Sequence, residues 1–119
     1  LTEHMLAAIR DSPKVHGTET AVFLLPIRYQ LEDTTFANLV RSGSIPMDSM
    51  NILKPQAEIM AIGGRLGIPV IDLLPASRQW SADGKGSLFL EWEGHWNDKG
   101  HLVATEVVAR ELRRLEALQ

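Results

Sequence analysis

Hydrophobic positions along this chain switch between two periods, and the switches mark out the elements. Met5, Leu6 and Ile9 share a face at helical spacing, which predicts a short helix over residues 3–11 that Ser12-Pro13 stops. A polar connection containing Gly17 follows. Periodicity then disappears. Thr20 to Ile27 holds the continuous apolar run Ala21-Val22-Phe23-Leu24-Leu25, closed by Pro26. A run without alternation predicts a strand buried on both faces, as in a parallel sheet. Helical spacing returns over 33–41, with Asp33 or Thr34 as N-cap and Phe36, Leu39 and Val40 facing inward. Arg41 to Pro46 reads as a loop. Residues 51–66 form a second helical pattern with Ile52, Ile59, Met60, Ile62 and Leu66 as its apolar set. Pro55 fits only a first turn, so the regular helix should begin near Leu53 or Lys54. Gly67 suits the left-handed residue that ends it.

Ile68 to Leu74 is a second buried strand by the same criterion as the first. A helix between two apolar strands makes a parallel, right-handed βαβ unit. Pro75 to Trp80 reads as a turn or short helix, 81–86 as an exposed loop, and Ser87 to Leu90 as a short extended piece. Asn97 is a good N-cap for a last helix over about 98–117. Val103, Ala104, Val107, Val108, Leu112 and Leu115 form the inward stripe of that helix, with Glu106, Arg110, Arg113 and Glu116 outside. The order α-β-α-α-β-loop-α predicts an α/β layered domain. In such sheets function gathers at the carboxyl ends of the strands. Arg28-Tyr29-Gln30 and Asp72-Leu73-Leu74-Pro75 lie there by construction.

Composition narrows the classes. At 119 residues the prior is a single domain, 1–119, and 45% hydrophobic with 23% charged residues is ordinary for a globular chain. A net charge of −3 with no basic stripe argues against a nucleic-acid partner. There is no cysteine, which excludes disulfides and thiolate chemistry. No apolar run approaches the ~18 residues needed to span a bilayer. Leu1-Thr2-Glu3-His4 lacks the basic start and apolar stretch of a signal peptide. The first residue is not Met, so a longer parent protein is expected.

Chemistry is densest in Trp92-Glu93-Gly94-His95-Trp96-Asn97-Asp98-Lys99-Gly100-His101. An acyl-transfer base needs one imidazole nitrogen facing a nucleophile and the other held by a carboxylate. Spacing of two in a loop allows Glu93 to reach Nδ1 of His95. His101 reads as structural on the first turns of the last helix. Glu93, His95 and His101 match no strong metal-ligand spacing, and no cofactor is expected. Trp92 and Trp96 read as packing or cleft-wall residues rather than a sugar platform. Arg28 and Arg78 are candidates for a substrate carboxylate, against a solvated or ion-paired reading.

The stretch Glu93 to His101 resembles the last conserved block of the SGNH (GDSL-type) hydrolases, in which an acid two or three residues before a His completes a Ser-His-Asp triad. Val22 to Gln30 and Gly67 to Pro75 resemble the strand-and-loop segments that precede that block. The resemblance covers most of this chain but only the C-terminal half of the family's domain. It implies a partial flavodoxin-like α/β/α sandwich and ester hydrolysis or acyl transfer without metal, on a small-molecule or glycan ester. His95 would be the general base and Glu93 its orienting acid, with Arg28, Tyr29, Trp96 and Arg78 as substrate-binding residues. The chain departs from the family in having Glu93 where Asp is usual, and the Gly-Asp-Ser nucleophile block is absent. Asp48-Ser49 follows Met47 rather than Gly and reads as a helix cap. The alternative is a non-catalytic α/β module that binds or oligomerises. A half-sandwich that folds alone exposes a sheet edge and apolar helix faces, so a second copy is expected to cover them.

Overall fold

The computed structural model describes residues 1–12, 17–43 and 51–117. Within them lie five helices and a two-stranded parallel sheet: α1 (Thr2–Arg10), β1 (Val22–Leu24), α2 (Asp33–Arg41), α3 (Lys54–Leu66), β2 (Val70–Asp72), α4 (Leu74–Ala82) and α5 (Asp98–Glu116). Asp48-Ser49 and the 44–46 part of the expected loop lie outside the described residues.

β1 and β2 pair with Val22 opposite Val70, Phe23 opposite Ile71 and Leu24 opposite Asp72. The strands are three residues each, much shorter than their apolar runs, and every strand residue is half-buried. Burial on both faces was the expectation, and this is a correction. A two-stranded sheet leaves each strand one unpaired edge, and a short strand offers little surface for helices to cover.

Local signals set the helix ends. α3 starts at Lys54 with Pro55 in its first turn, where the missing N–H costs nothing. It ends on Gly67 at φ +67°, the left-handed conformation that glycine adopts without strain. Gly63 is buried on α3, and a Cβ there would collide with the Val70 side chain. The helix thereby lies against β2 at close range. Met60 departs from its expected inward place and is 50% exposed. The cap of α2 also differs: Glu32, not Asp33 or Thr34, is the N-cap residue, with no side-chain bond to the helix N–H groups. Its carboxylate is taken by other partners, described below.

Apart from Pro26, the fully buried side chains belong to the C-terminal part. Leu73 is 0% exposed, and Leu74 and Ser77 of α4 are buried beside it. Leu88, Phe89 and Val103 form a core cluster against which Leu31, Ala76, Trp80 and Trp96 pack. Each large apolar side chain fully buried there contributes roughly 1.5–3 kcal/mol. On α5 the expected stripe is seen, with Val103 and Val107 buried, although Leu112 is 42% exposed. Among the described residues no helix is long and apolar enough to cross a membrane.

The carboxyl end of β1 is tied down by a polar device. Gln30 and Gln56 are buried and donate to each other's carbonyl oxygens at 2.8 and 3.1 Å. Gln30 also donates to the Ile52 carbonyl at 2.6 Å and accepts from Ile27 N–H at 3.0 Å. The amide of Gln30 thus has four partners, which removes the penalty of burying it.

Candidate functional site

The site is a loop, 91–95, held between two anchored segments. Phe89 and Trp96 form an isolated antiparallel bridge across its base, and Leu90 N–H donates to the His95 carbonyl at 2.9 Å. Just beyond, Asn97 caps α5. Its Oδ1 accepts from Lys99 and Gly100 N–H at 3.0 and 3.1 Å. Its Nδ2 donates to the Ser87 and Phe89 carbonyls, both at 3.0 Å. One side chain therefore starts the helix and fixes the extended segment before the loop. Gly100 lets α5 press on that segment, since a Cβ there would stand 2.5 Å from the Leu88 carbonyl oxygen.

Trp96 is part of this anchor. Its ring meets Phe89 edge-on at 6.5 Å and His101 at 6.3 Å, and its indole N–H donates to the Pro26 carbonyl at 3.3 Å. It packs the loop onto the end of β1 in the manner of a buried aromatic with a satisfied polar tip. His101 shares that packing from the first turn of α5.

Arg28 clamps the loop from the other side. Its guanidinium donates to the carbonyls of Leu90, Glu91 and Glu93 at 3.0, 3.2 and 3.1 Å. Its Nε donates to Glu32 Oε2 at 2.6 Å. Nη1 thus holds the loop and Nε is paired with Glu32, which is the ion-paired reading of Arg28. Glu32 is a hub, accepting from Arg28, from Thr35 Oγ1 at 2.9 Å and from Ser87 Oγ at 2.7 Å. Burial pushes its carboxyl up, but the hydrogen bonds from Arg28, Ser87 and Thr35 and the Arg28 charge outweigh burial and hold it below its ordinary 4.5.

Against this scaffold the chemistry-bearing residues point outward. His95 Nδ1 stands 2.9 Å from Glu93 Oε2. With an ionised carboxylate as acceptor, the neutral ring that makes this bond carries its proton on Nδ1, which leaves the lone pair on Nε2. The His95 side chain is 82% exposed and that of Glu93 61%. Among the described residues no serine or threonine hydroxyl is bonded to His95, and no three His, Asp or Glu side chains are grouped to hold a metal ion. The arrangement is an imidazole held at Nδ1 by a carboxylate. In open water such a pair is weakly held, because the solvent screens the attraction and both side chains keep their freedom.

A cleft of about 350 Å³ adjoins the pair, lined by Ile27, Arg28, Tyr29, Thr35, Trp92, Glu93 and Gly94. It brings together three of the six residues singled out in the sequence as site residues: Glu93, Arg28 and Tyr29. Arg78 lines a different cleft, with Gln56, Met60 and Asp72. Sequence reasoning passed over Glu32 and Thr35 and placed Gln30 at the strand end without a partner, since polar residues carry no periodic signal. The loop sits at the carboxyl end of β1, as the α/β rule requires, because Arg28 and Pro26 follow β1 directly. Compared with protein-family models, curated proteins and solved structures, this chain matches none.

Proposed function

We propose that this chain is the C-terminal portion of an SGNH-like serine hydrolase or O-acyltransferase, built on a flavodoxin-like sandwich whose remaining strands come from elsewhere. The observation that carries this reading is the Glu93–His95 pair at 2.9 Å, on a loop clamped to the carboxyl end of β1. In the complete site a serine hydroxyl attacks an ester carbonyl. Its proton passes to His95 Nε2 and then to the departing alcohol, while Glu93 stabilises the imidazolium. The exposure of the pair fits a half-site, since covering it with the segment that carries the nucleophile would exclude water and strengthen the interaction. The longer reach of Glu93 relative to Asp is accommodated by the two-residue spacing.

The test is hydrolysis of an activated short-chain ester by this chain and by His95→Ala. Activity lost in the variant supports a site assembled here. Activity equal in both, or absent from both, favours a truncated or a non-catalytic protein. The parent reading frame then decides: without a Gly-Asp-Ser-like block upstream, the hydrolase reading fails.

A second reading, a non-catalytic module that associates through its open faces, is favoured by the half-buried strands and by Leu25 and Ile27 at 55% exposure. It predicts a homo-oligomer, and light scattering that gives a monomer removes it.

A further inference from the structure

Arg10, Arg28, Arg65, Arg110 and Arg114 each hold a carboxylate. Arg78 holds none among the described residues. Its Nη2 donates to the Gln30 carbonyl at 3.5 Å, longer than an ordinary N–H···O bond, and its other donors are open. Asp72 is in the converse position. Its Oδ1 accepts from Leu74 N–H at 2.9 Å, and its Oδ2 has no partner among the described residues. These two uncommitted charges of opposite sign line one cleft, yet they form no ion pair with each other.

That cleft, of about 470 Å³, lies between the early turns of α3 and α4. Asp72 is the last residue of β2, so the cleft stands outside the carboxyl end of a strand, where α/β sheets hold their ligands. Its walls are apolar: Leu53, Ala57, Met60, Leu74 and Pro75. Gln56 is turned to Gln30, which leaves Asp72 and Arg78 as the polar groups with spare capacity. A mostly apolar hollow with a few convergent polar groups is the usual form of a small-molecule site. Met60 and Leu53 are half-exposed on its rim, and a methionine side chain moulds itself readily to an apolar ligand.

Charge decides what fits. A simple carboxylate on Arg78 would face Asp72, and a simple amine on Asp72 would face Arg78, each with a like charge beside it. One molecule with both charges close together meets both partners. We infer that the cleft binds a free α-amino acid with an apolar side chain, its carboxylate on Arg78, its ammonium on Asp72 and its side chain against Met60 and Leu53. In a peptide the two charges part to opposite ends, so either terminus leaves one of the pair unmatched. The cleft holds neither Glu93 nor His95, so the site stands whether or not the hydrolase reading does.

The full chain is titrated with L-leucine, N-acetyl-L-leucine, L-leucinamide and glycine to about 20 mM, following the methionine methyl signals by NMR. The Met60 signal is assigned from Met60→Leu. The expected result is a saturating shift of that signal with leucine, at a Kd of about 1 mM. N-acetylleucine lacks the ammonium, leucinamide lacks the carboxylate and glycine lacks the side chain, and each binds about tenfold or more weakly. Arg78→Gln and Asp72→Asn each weaken leucine binding about tenfold or more. Arg78 is exposed, and asparagine keeps an acceptor for Leu74 N–H, so both variants keep the wild-type melting temperature. A loss of binding is then not a loss of fold. No saturating Met60 shift with leucine overturns the inference. N-acetylleucine or leucinamide binding as tightly as leucine overturns it too, as does leucine binding undiminished in both variants. Should a variant fold poorly, the four probes on the wild-type chain still decide.

Discussion

Leu88, Phe89 and Trp96 bracket the loop at 91–95, and a few residues separate two opposite environments. The bracketing side chains are buried or half-buried, with every buried polar side-chain atom of the described residues satisfied. Within the loop Trp92, Glu93 and His95 face water. One region is over-determined by packing, a cap and a bridge, and the other is held only at its base and by Arg28. Natural chains spend packing on positioning and leave the reacting groups accessible, because a group satisfied by its own protein has no capacity left for a ligand. If that division holds here, substitutions in the bracket change stability and substitutions in the loop change chemistry.

Two glycines give the largest contrast. Gly100→Val puts a side chain against the Leu88 carbonyl and the Trp96 side chain, and the backbone oxygen of Leu88 cannot swing aside to relieve it. The expected loss is about 3 kcal/mol, seen as a melting temperature lower by roughly 10 °C. Gly94→Ala, in the loop, meets nothing within 4 Å and has no positive φ, so its melting temperature should match wild type. Equal effects would abolish the distinction between the regions.

Asn97→Ala comes next. It removes two acceptor bonds at the start of α5 and leaves the Ser87 and Phe89 carbonyls without their donor. A cost of about 2 kcal/mol is expected from cap and bonds together, measured as the urea midpoint at unchanged slope.

These anchors differ in how far the chain announced them. Asn97, Pro55 and Gly67 were legible because capping is local: residue type, neighbour and backbone angle act within one turn. The Glu93–His95 contact was legible for the same reason, with its partners two residues apart. Strand length was not, since it depends on how many strands lie alongside. Met60 failed similarly, because periodicity marks a face without saying what covers it. The Gln30–Gln56 pair, 26 residues apart, and the Ser87–Glu32 bond, 55 apart, link polar residues that carry no periodic signal. Arg28 was noticed for its charge, but its work on three loop carbonyls is a tertiary fact.

Arg28→Ala sharpens the comparison, because it removes three bonds to loop carbonyls and leaves the Asn97 cap and the Phe89–Trp96 bridge. It also takes the guanidinium from over the Phe89 ring at 6.0 Å. Hydrogen exchange of the amides at 91–95 should quicken while that of α5 stays slow, with a stability loss of about 1–2 kcal/mol. Arg28→Lys should rescue little, since one ammonium cannot reproduce the planar fork.

A smaller effect comes from pH. The folded-state pKa of Glu32 is lowered, so its contribution is present above the unfolded value near 4.5 and lost as pH falls through the lower folded value. Glu32→Gln should flatten the loss of urea stability below pH 4.5, the variant being compared with wild type at pH 7 and in acid. Glu3, Asp11, Asp83 and Glu111 are lowered too by hydrogen bonds from arginine or lysine partners that are themselves exposed, so solvent screening should leave them a small share of that slope.

The smallest expected effect on stability is the one that matters most for the chemistry. His95→Ala removes, and Glu93→Gln weakens, a hydrogen-bonded pair whose side chains are 82% and 61% exposed. Screened pairs of this kind contribute little, and both variants should unfold within about 0.5 kcal/mol of wild type. A clearly larger loss would mean that the pair anchors the loop instead of being presented by it, and the bracket alone would not account for its conformation. If stability is unchanged, the 2.9 Å contact has no structural task to explain it. Setting the tautomer and direction of His95 is then the task that the proposed function gives Glu93, and it is read in ester hydrolysis rather than in stability.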